Sequence, residues 1–190
     1  DSLDQATAAI SEGADQLIVV HGGGSFGHYH ASEHGMTTTA GTQDATGVTD
    51  VHDAMRRLND AVVSALQAAG VNAVPVHPFS IAHRDSNATL HLPVDSLQTM
   101  LGEGFVPVLH GDVVSHLDHG ATILSGDELV ASLVKSLAAT RVGLCSDVPG
   151  VLDDGGSVIE RIEHIEEVAS FLGGSEATDV TGGMTTKVRE

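Results

Sequence analysis

The chain of 190 residues has few cations and few aromatic side chains. Lysine and arginine total 8 against 26 aspartate and glutamate residues, which gives a formal net charge of −18. So acidic a surface repels nucleic acids and anionic membranes, and we expect neither as a partner. Because salt screens the repulsion between carboxylates, the charge also favours a halophilic source with high internal salt. Tryptophan is absent, so the core has to be built from Val, Leu, Ile and Ala.

Cysteine and long apolar runs are also scarce. Cys145 is the only cysteine, which excludes an internal disulfide framework and is typical of a reducing cytoplasm. No apolar run approaches the roughly 18 residues that a membrane-spanning helix needs, and the first residues lack a secretory pattern. We therefore expect a cytoplasmic protein.

Short apolar runs alternate with helical patterns along the chain. Strands are predicted over residues 17–20, 73–76, 105–109, 141–145 and 158–159, and a hairpin over 113–124. Helices are predicted over residues 1–15, 51–69, 94–101, 128–139 and 165–172. This alternation predicts an α/β fold with a mainly parallel sheet between helices. Since no linker or internal repeat interrupts it, we expect a single domain over residues 1–190.

Residues 17–28, with the sequence LIVVHGGGSFGH, form the most informative stretch. They predict a buried strand that ends in a glycine-rich loop, with His28 at the exit of the loop and a helix after it. Glycines between a parallel strand and a helix leave backbone N–H groups free to bind phosphate. The alternative is a tight strand-to-helix turn without a ligand.

Four later turns are polar in the same way: HGD at 110–112, SGD at 125–127, SDVPG at 146–150 and DVTGGM at 179–184. Together with GGGSFGH, their order and content resemble the amino acid kinase superfamily, and GGGSFGH itself resembles the isopentenyl phosphate kinases. The resemblance implies a three-layer fold and the ATP-dependent phosphorylation of isopentenyl phosphate to isopentenyl diphosphate, a step of isoprenoid biosynthesis. It also implies Mg²⁺ that arrives with ATP, and a homodimer.

The same resemblance assigns residues position by position. Gly23, Gly24, Gly126 and His28 would bind the acceptor phosphate, and His28 would also stabilise charge during transfer. An imidazole N–H suits that task, and a phosphate acceptor needs no strong general base. Asp127 and Lys187 would complete the catalytic set, Asp127 by orienting phosphate-binding lysines and Lys187 by reaching the ATP phosphates. The nucleotide would lie against Gly24, Asp147, Gly150, Gly182, Gly183 and Lys187.

Each assignment has a structural alternative. His28 could cap a helix or, with His21, His30 and His34 nearby, bind a metal, although no cysteine or carboxylate completes a known ligand spacing. We therefore predict no metal site in the protein. Asp127 could be the N-cap of the next helix, and Lys187 an ordinary solvated side chain. Val48, Val51, Met55 and Ile123 could line a slot for the acceptor's hydrocarbon tail or simply be core.

The chain also departs from the pattern it resembles. The family's opening strand and Lys-Leu-Gly-Gly-Ser loop are missing, and the sequence ends soon after Lys187. We therefore expect a chain that is incomplete at both ends and has little kinase activity alone. Three other functions stay open: a different kinase of the superfamily (fosfomycin, acetylglutamate or uridylate type), a non-catalytic nucleotide-binding module, and a histidine-rich metal-binding protein.

Overall fold

The computed structural model describes residues 16–145, 150–153, 155–164 and 166. The chain divides into two compact units, residues 1–140 and 141–190, so the single domain stays a prediction. The helix predicted over residues 1–15 lies outside the described residues, as does the helix over 165–172 apart from Glu166. The turns at 146–149 and 179–184 also lie outside them.

The first unit contains twelve described elements. In chain order they are β1 (Val19–His21), α1 (Gly24–Glu33), α2 (Ala45–Ala68), β2 (Ala73–Pro75), α3 (Pro78–Ile81), β3 (His83–Arg84), β4 (Leu90–His91), α4 (Asp95–Gly102), β5 (Val106–His110), β6 (Asp112–His116), β7 (Gly120–Leu124) and α5 (Gly126–Leu137).

Three of the strands form a parallel sheet in the order β1-β5-β2. In its register Val19 lies opposite Val108 and His21 opposite His110, so β1 and β5 end side by side. The α/β class with a parallel sheet and helices is confirmed. The sheet explains why residues 17–21 are apolar up to the histidine: a parallel strand is covered on both faces.

A second sheet of four strands has the order β4-β3-β6-β7. Its β6–β7 pair is the predicted hairpin, with register from Asp112 opposite Leu124 to His116 opposite Gly120. Gly120 has φ +79°, a left-handed conformation that suits glycine at the turn. Strand β3 is parallel to β6 and antiparallel to β4, and neither β3 nor β4 was predicted.

The long helix α2 confirms the prediction over residues 51–69 but begins earlier, at Ala45. The Asp44 carboxylate accepts a hydrogen bond from the Thr46 N–H at 3.0 Å and so caps the helix there. At the other end, Gly70 has φ +85° and stops it.

Two predictions about helix starts were wrong. Helix α1 begins at Gly24, so His28 lies in its second turn and not at the exit of a loop. Helix α5 begins at Gly126 with Ser125 as its N-cap, whose hydroxyl accepts a hydrogen bond from the Glu128 N–H at 3.1 Å. Asp127 is therefore inside the first turn and is not the cap.

The strand predicted over residues 141–145 was also wrong. These residues are irregular, and Val142 and Leu144 are 47% and 50% exposed. A strand exists only where a neighbouring backbone pairs with it, and these residues pair with no strand in the described part of the chain. The strand predicted over residues 158–159 is reduced to one bridge between Leu152 and Val158.

The core is aliphatic, as the composition predicted. Its largest cluster joins the two sheets to α4 and α5 through side chains that are fully buried, namely Leu97, Leu109, Val114, Leu124 and Leu129. Two smaller clusters pack α2 against β5 and against the β6–β7 hairpin. No helix in the described residues is long and apolar enough to cross a membrane.

Candidate active site at the glycine-rich strand ends

Three glycine backbones meet where β1 and β5 end. The Gly111 N–H donates to the His21 carbonyl at 2.9 Å, which ties the two strand ends together. A Cβ added to Gly126 would lie 3.4 Å from the His21 oxygen and 3.6 Å from Gly22 Cα. A Cβ added to Gly111 would lie 3.3 Å from the Gly126 nitrogen. The glycine loop and the start of α5 therefore approach backbone to backbone, at the edge of the sheet where α/β folds bind ligands.

The start of α1 forms one wall of this site. Gly23 is its N-cap, and within the described residues no side chain caps the helix. The first-turn N–H groups of an α-helix lack intrahelical acceptors, and the helix dipole adds positive potential there. Because Gly24 and Ser25 are exposed and no carboxylate stands in this turn, the helix start is suited to an anion.

The glycines of α1 also seat the helix on α2. A Cβ at Gly23 or Gly27 would lie 2.9 or 2.8 Å from the sulfur of Met55. Neither position therefore accommodates a side chain unless Met55 moves. This contact fixes the start of α1 and accounts for two glycines of the motif by packing alone.

His28 lies four residues after Gly24 on the same helix, so the two share a face. Helical side chains lean toward the N-terminus, which directs the half-buried His28 ring back toward the first turn. The structure places Gly23, Gly24 and His28 at the start of one helix and sets Gly126 against the neighbouring Gly22 backbone; these are the residues predicted to bind the acceptor. Asp127 lies next to Gly126 in the first turn of α5, where a carboxylate interacts favourably with the helix dipole.

The predicted nucleotide site is described only in part. Gly24 belongs to the first unit and Gly150 to the second. Asp147, Gly182, Gly183 and Lys187 lie outside the described residues. Their roles, like those of His28 and Asp127, remain predictions.

The slot predicted for a hydrocarbon tail is divided between two places. Val51 is buried in one cluster with Val113, and Val48 and Ile123 pack against that cluster. Met55 faces the glycines of α1 instead. Three of the four residues therefore share a region, and the fourth packs against the start of α1.

The sequence did not predict the cluster of histidines that lies directly behind the loop. The rings of His21 and His110 stack with centroids 5.7 Å apart, and His77 Nδ1 lies 2.9 Å from His110 Nε2. His52 Nδ1 lies 3.0 Å from a carboxylate oxygen of Asp112. These residues are far apart in the sequence, and only the sheet register and the packing of α2 bring them together. The one signal in the sequence was that β1 and β5 each end in a histidine, His21 and His110.

Burial and charge affect these histidines in opposite directions. Burial lowers the pKa of His110 to about 4 and also lowers the pKa of His77, so both rings favour the neutral form. The hydrogen bond that His52 donates to the Asp112 carboxylate instead raises the pKa of His52. Asp112 is buried and also accepts hydrogen bonds from the backbone N–H groups of Phe79 and Val113.

Metal binding by His28 with His21, His30 and His34 was one of the open alternatives. Among the residues that the structure describes, no group of three or more His, Cys, Asp or Glu side chains is arranged to hold a metal ion. The histidines behind the loop contact one another, an amide, the Asp112 carboxylate and backbone carbonyls instead.

The chain is similar to proteins of a known family. The amino acid kinase family matches residues 3–190. The isopentenyl phosphate kinase of Haloferax volcanii is 58% identical over 185 residues, which cover 97% of this chain and 74% of that protein. The enzyme of the same name from Methanocaldococcus jannaschii is 36% identical over 204 residues, covering 99% of this chain and 76% of that protein.

A solved structure agrees with the sequence relatives. X-ray structures of isopentenyl phosphate kinase include a chain that superimposes with a TM-score of 0.72 at 30% identity. The match covers 78% of this chain and 64% of that chain, so our chain spans less than two thirds of the solved relative. The chain therefore belongs to the amino acid kinase family, in its isopentenyl phosphate kinase group.

Proposed function

We propose that the protein transfers the terminal phosphoryl group of ATP to isopentenyl phosphate and so forms isopentenyl diphosphate. The observation that carries this proposal is the close approach of Gly126 to the Gly22 backbone at one sheet edge, next to the start of α1, which has no side-chain cap and carries Gly24 and His28. The relatives named isopentenyl phosphate kinase support the choice of acceptor.

The acceptor phosphate would occupy the start of α1. The N–H groups of Gly23 and Gly24 would donate to its oxygens, and Gly126, which lets the start of α5 approach the Gly22 backbone, would lie beside it. His28 would donate an N–H to the same group and stabilise the charge that develops during transfer. Because a phosphate oxygen is already nucleophilic at pH 7, these residues act by positioning and electrostatics and remove no proton.

The nucleotide would approach from the other side of the transferring phosphoryl group. Gly24, Gly150, Asp147, Gly182, Gly183 and Lys187 would hold it, with Lys187 as the cation for its phosphates. Backbone N–H groups and a lysine fit a triphosphate. Mg²⁺, which prefers phosphate and water oxygens, would arrive with ATP and neutralise phosphate charge. Asp127 would orient the lysine side chains that bind phosphate.

The hydrocarbon tail would need an apolar surface beyond the phosphate. Val48, Val51 and Ile123 offer one between α2 and the β6–β7 hairpin. We further propose a cytoplasmic homodimer, which size-exclusion chromatography with light scattering would test.

The direct test uses labelled ATP, Mg²⁺ and isopentenyl phosphate in molar KCl, with the full-length protein that carries this sequence. We expect transfer by the wild type and a loss of about 100-fold or more in His28→Ala. His30→Ala is the matched control, since His30 lies on the same helix and pairs with Glu33 at its surface. This control should keep its activity within about twofold.

Each other outcome has a definite meaning. A folded wild type that does not phosphorylate isopentenyl phosphate refutes the proposed acceptor, and fosfomycin, N-acetylglutamate and UMP would then be tried. Retained ATP binding without transfer to any of them would select the non-catalytic module. Full activity in His28→Ala would refute the role given to His28.

A further inference from the structure

The two neighbouring strand ends carry the same hydrogen-bonding arrangement. His21 Nδ1 donates to the carbonyl of the next residue, Gly22, at 3.0 Å. His110 Nδ1 donates to the carbonyl of its own next residue, Gly111, at 2.9 Å. The two histidines lie opposite each other in the sheet register, and their rings stack with an interplanar angle of 26°. Each glycine peptide is therefore held by the ring that precedes it.

A partner fixes the second nitrogen of the His21 ring. His21 Nε2 donates to Asn59 Oδ1 at 3.0 Å, so both nitrogens of this ring act as donors, and Asn59 is fully buried on α2. The amide of Asn59 is oriented from its other end, where Nδ2 donates to the Val108 carbonyl at 3.5 Å. Asn59 therefore links the ring of His21 to the neighbouring strand β5.

A different partner fixes the second nitrogen of His110. His77 Nδ1 lies 2.9 Å from His110 Nε2. Since burial keeps His110 neutral and its Nδ1 carries the proton donated to Gly111, its Nε2 has to accept. His77 Nδ1 is therefore the donor, which defines one tautomer for each ring.

These contacts determine where the glycine N–H groups point. In a trans peptide the C=O and N–H bonds point in opposite directions. With the Gly22 carbonyl turned to the His21 ring, the Gly23 N–H points away from that ring. A strand end made of glycine has no side chain that would otherwise hold this orientation.

We propose that Asn59 and His77 are positioning residues, which hold His21 and His110 so that the Gly22 peptide presents the Gly23 N–H to the acceptor phosphate and the Gly111 backbone stays joined to the end of β1. The inference rests on the proposed function and concerns residues that do not themselves touch the substrate. Asn59 and His77 lie one layer behind the glycine loop.

The test compares variants that keep or remove one hydrogen-bonding atom. Asn59→Leu and His77→Leu remove the acceptor and the donor at similar volume. Asn59→Asp keeps an oxygen for His21 Nε2, and His77→Asn keeps an N–H close to the position of Nδ1. Gln67→Leu is the matched control. Gln67 lies on the same helix as Asn59, and its side chain donates a 2.9 Å hydrogen bond to the Ala73 carbonyl, which the substitution removes.

Steady-state kinetics with isopentenyl phosphate give the first readout. We expect each leucine variant to raise KM for the acceptor about tenfold or more with little change in kcat, since a misplaced peptide weakens ground state and transition state alike. The conservative variants should stay within about threefold of the wild type, and Gln67→Leu should leave KM unchanged. Folded leucine variants with an unchanged KM, or with losses no larger than Gln67→Leu, would overturn the proposal.

Histidine ring ¹⁵N NMR gives a readout that does not depend on turnover. The wild type should show His110 as the neutral tautomer protonated at Nδ1, and His77→Leu should lose this single tautomer while His77→Asn restores it. A wild-type His110 protonated at Nε2 would overturn the proposal. If the wild type does not phosphorylate isopentenyl phosphate, the proposed function is wrong. If the wild type is active but the leucine variants have the same KM, the proposed function stands and the positioning role is wrong.

Discussion

The parallel sheet and the mixed sheet of the first unit both bury polar side chains, but the chemistry of those side chains differs. Behind the ends of β1 and β5 stand imidazoles and an amide, which bind backbone carbonyls. The mixed sheet buries an ion pair instead, in which both terminal nitrogens of Arg84 contact the Glu128 carboxylate at 2.6 and 2.7 Å.

The difference shows how one chain separates stability from binding. The charge of Arg84 is neutralised inside the fold, where it joins β3 to the first turn of α5. Behind the ends of β1 and β5 the side chains that bind the backbone are imidazoles and an amide, and in the proposed function the N–H groups at this edge bind the acceptor phosphate. We therefore expect changes in the mixed sheet to alter stability, and changes behind the parallel sheet to alter acceptor binding.

The largest effect should follow from Arg84→Met. Arg84 is 5% exposed, and its removal leaves Glu128 without its partner, so we expect the free energy of unfolding to fall by about 3–5 kcal/mol. Urea denaturation measures this change. KM for the acceptor should stay near the wild-type value because Ser125 still caps α5. A shift in KM without a loss of stability would reverse the comparison.

Mild acid should destabilise the parallel sheet. The pKa of His110 is about 4 in the fold against an ordinary value of 6.5. The unfolded chain therefore binds this proton first, and stability falls from pH 6.5 until the pH passes 4, by about 3 kcal/mol in total. The raised pKa of His52 has the opposite effect on stability. The stability that His52 contributes is present below pH 6.5 and is lost as the pH rises through the raised value.

Urea midpoints between pH 7 and pH 4.5, with an NMR titration of the His110 ring, check this expectation. His110→Asn keeps a donor for the Gly111 carbonyl and should flatten the dependence. A wild-type midpoint that is equally high at both pH values would show that His110 titrates normally.

Gly23→Ala should reduce stability less than Arg84→Met does, but it should weaken acceptor binding more. The new methyl group would lie 2.9 Å from the Met55 sulfur and 3.2 Å from Gly27 Cα. We expect a cost of about 1–3 kcal/mol, because the start of α1 has to move away from α2, and an increased KM for the acceptor. Gly102→Ala is the control, since a Cβ there meets no described atom within 4 Å. Equal behaviour of the two variants would contradict the packing account.

The smallest effect should come from the turn of the β6–β7 hairpin. Leu117 is 68% exposed there, and its backbone N–H donates to the Arg84 carbonyl whichever side chain it carries. Leu117→Ser should change stability by no more than about 0.5 kcal/mol and leave the kinetics unaltered. A clear kinetic effect would show that this turn reaches the site.

Local patterns predicted the elements that have a clear period. Helix α2, the β6–β7 hairpin and β1 all follow from residues adjacent in the sequence. Strands β3 and β4 have two residues each, too few for a period, and are formed by pairing to β6 and to each other. Residues 141–145 show the reverse case, in which a strand pattern has no partner in the described residues.

The residues proposed for the acceptor site could be named from the sequence because they occur in contiguous motifs, and their roles stay predictions. The start of α1 could not be predicted from the sequence, because Gly24 and Gly27 are poor helix formers and the helix is held by its contact with Met55. Asn59 and His77 were missed for a related reason. Their partners are set by sheet register and helix packing, which no sequence window contains.

The pairing of β1 with β5 has a kinetic consequence. Strands β1 and β5, residues 19–21 and 106–110, lie far apart in the sequence, so a long loop has to close before they meet. During synthesis on the ribosome the motif emerges first and remains without its partner until β5 follows. A peptide of residues 16–36 contains all of GGGSFGH and should not bind phosphate, because the site forms only when the chain folds.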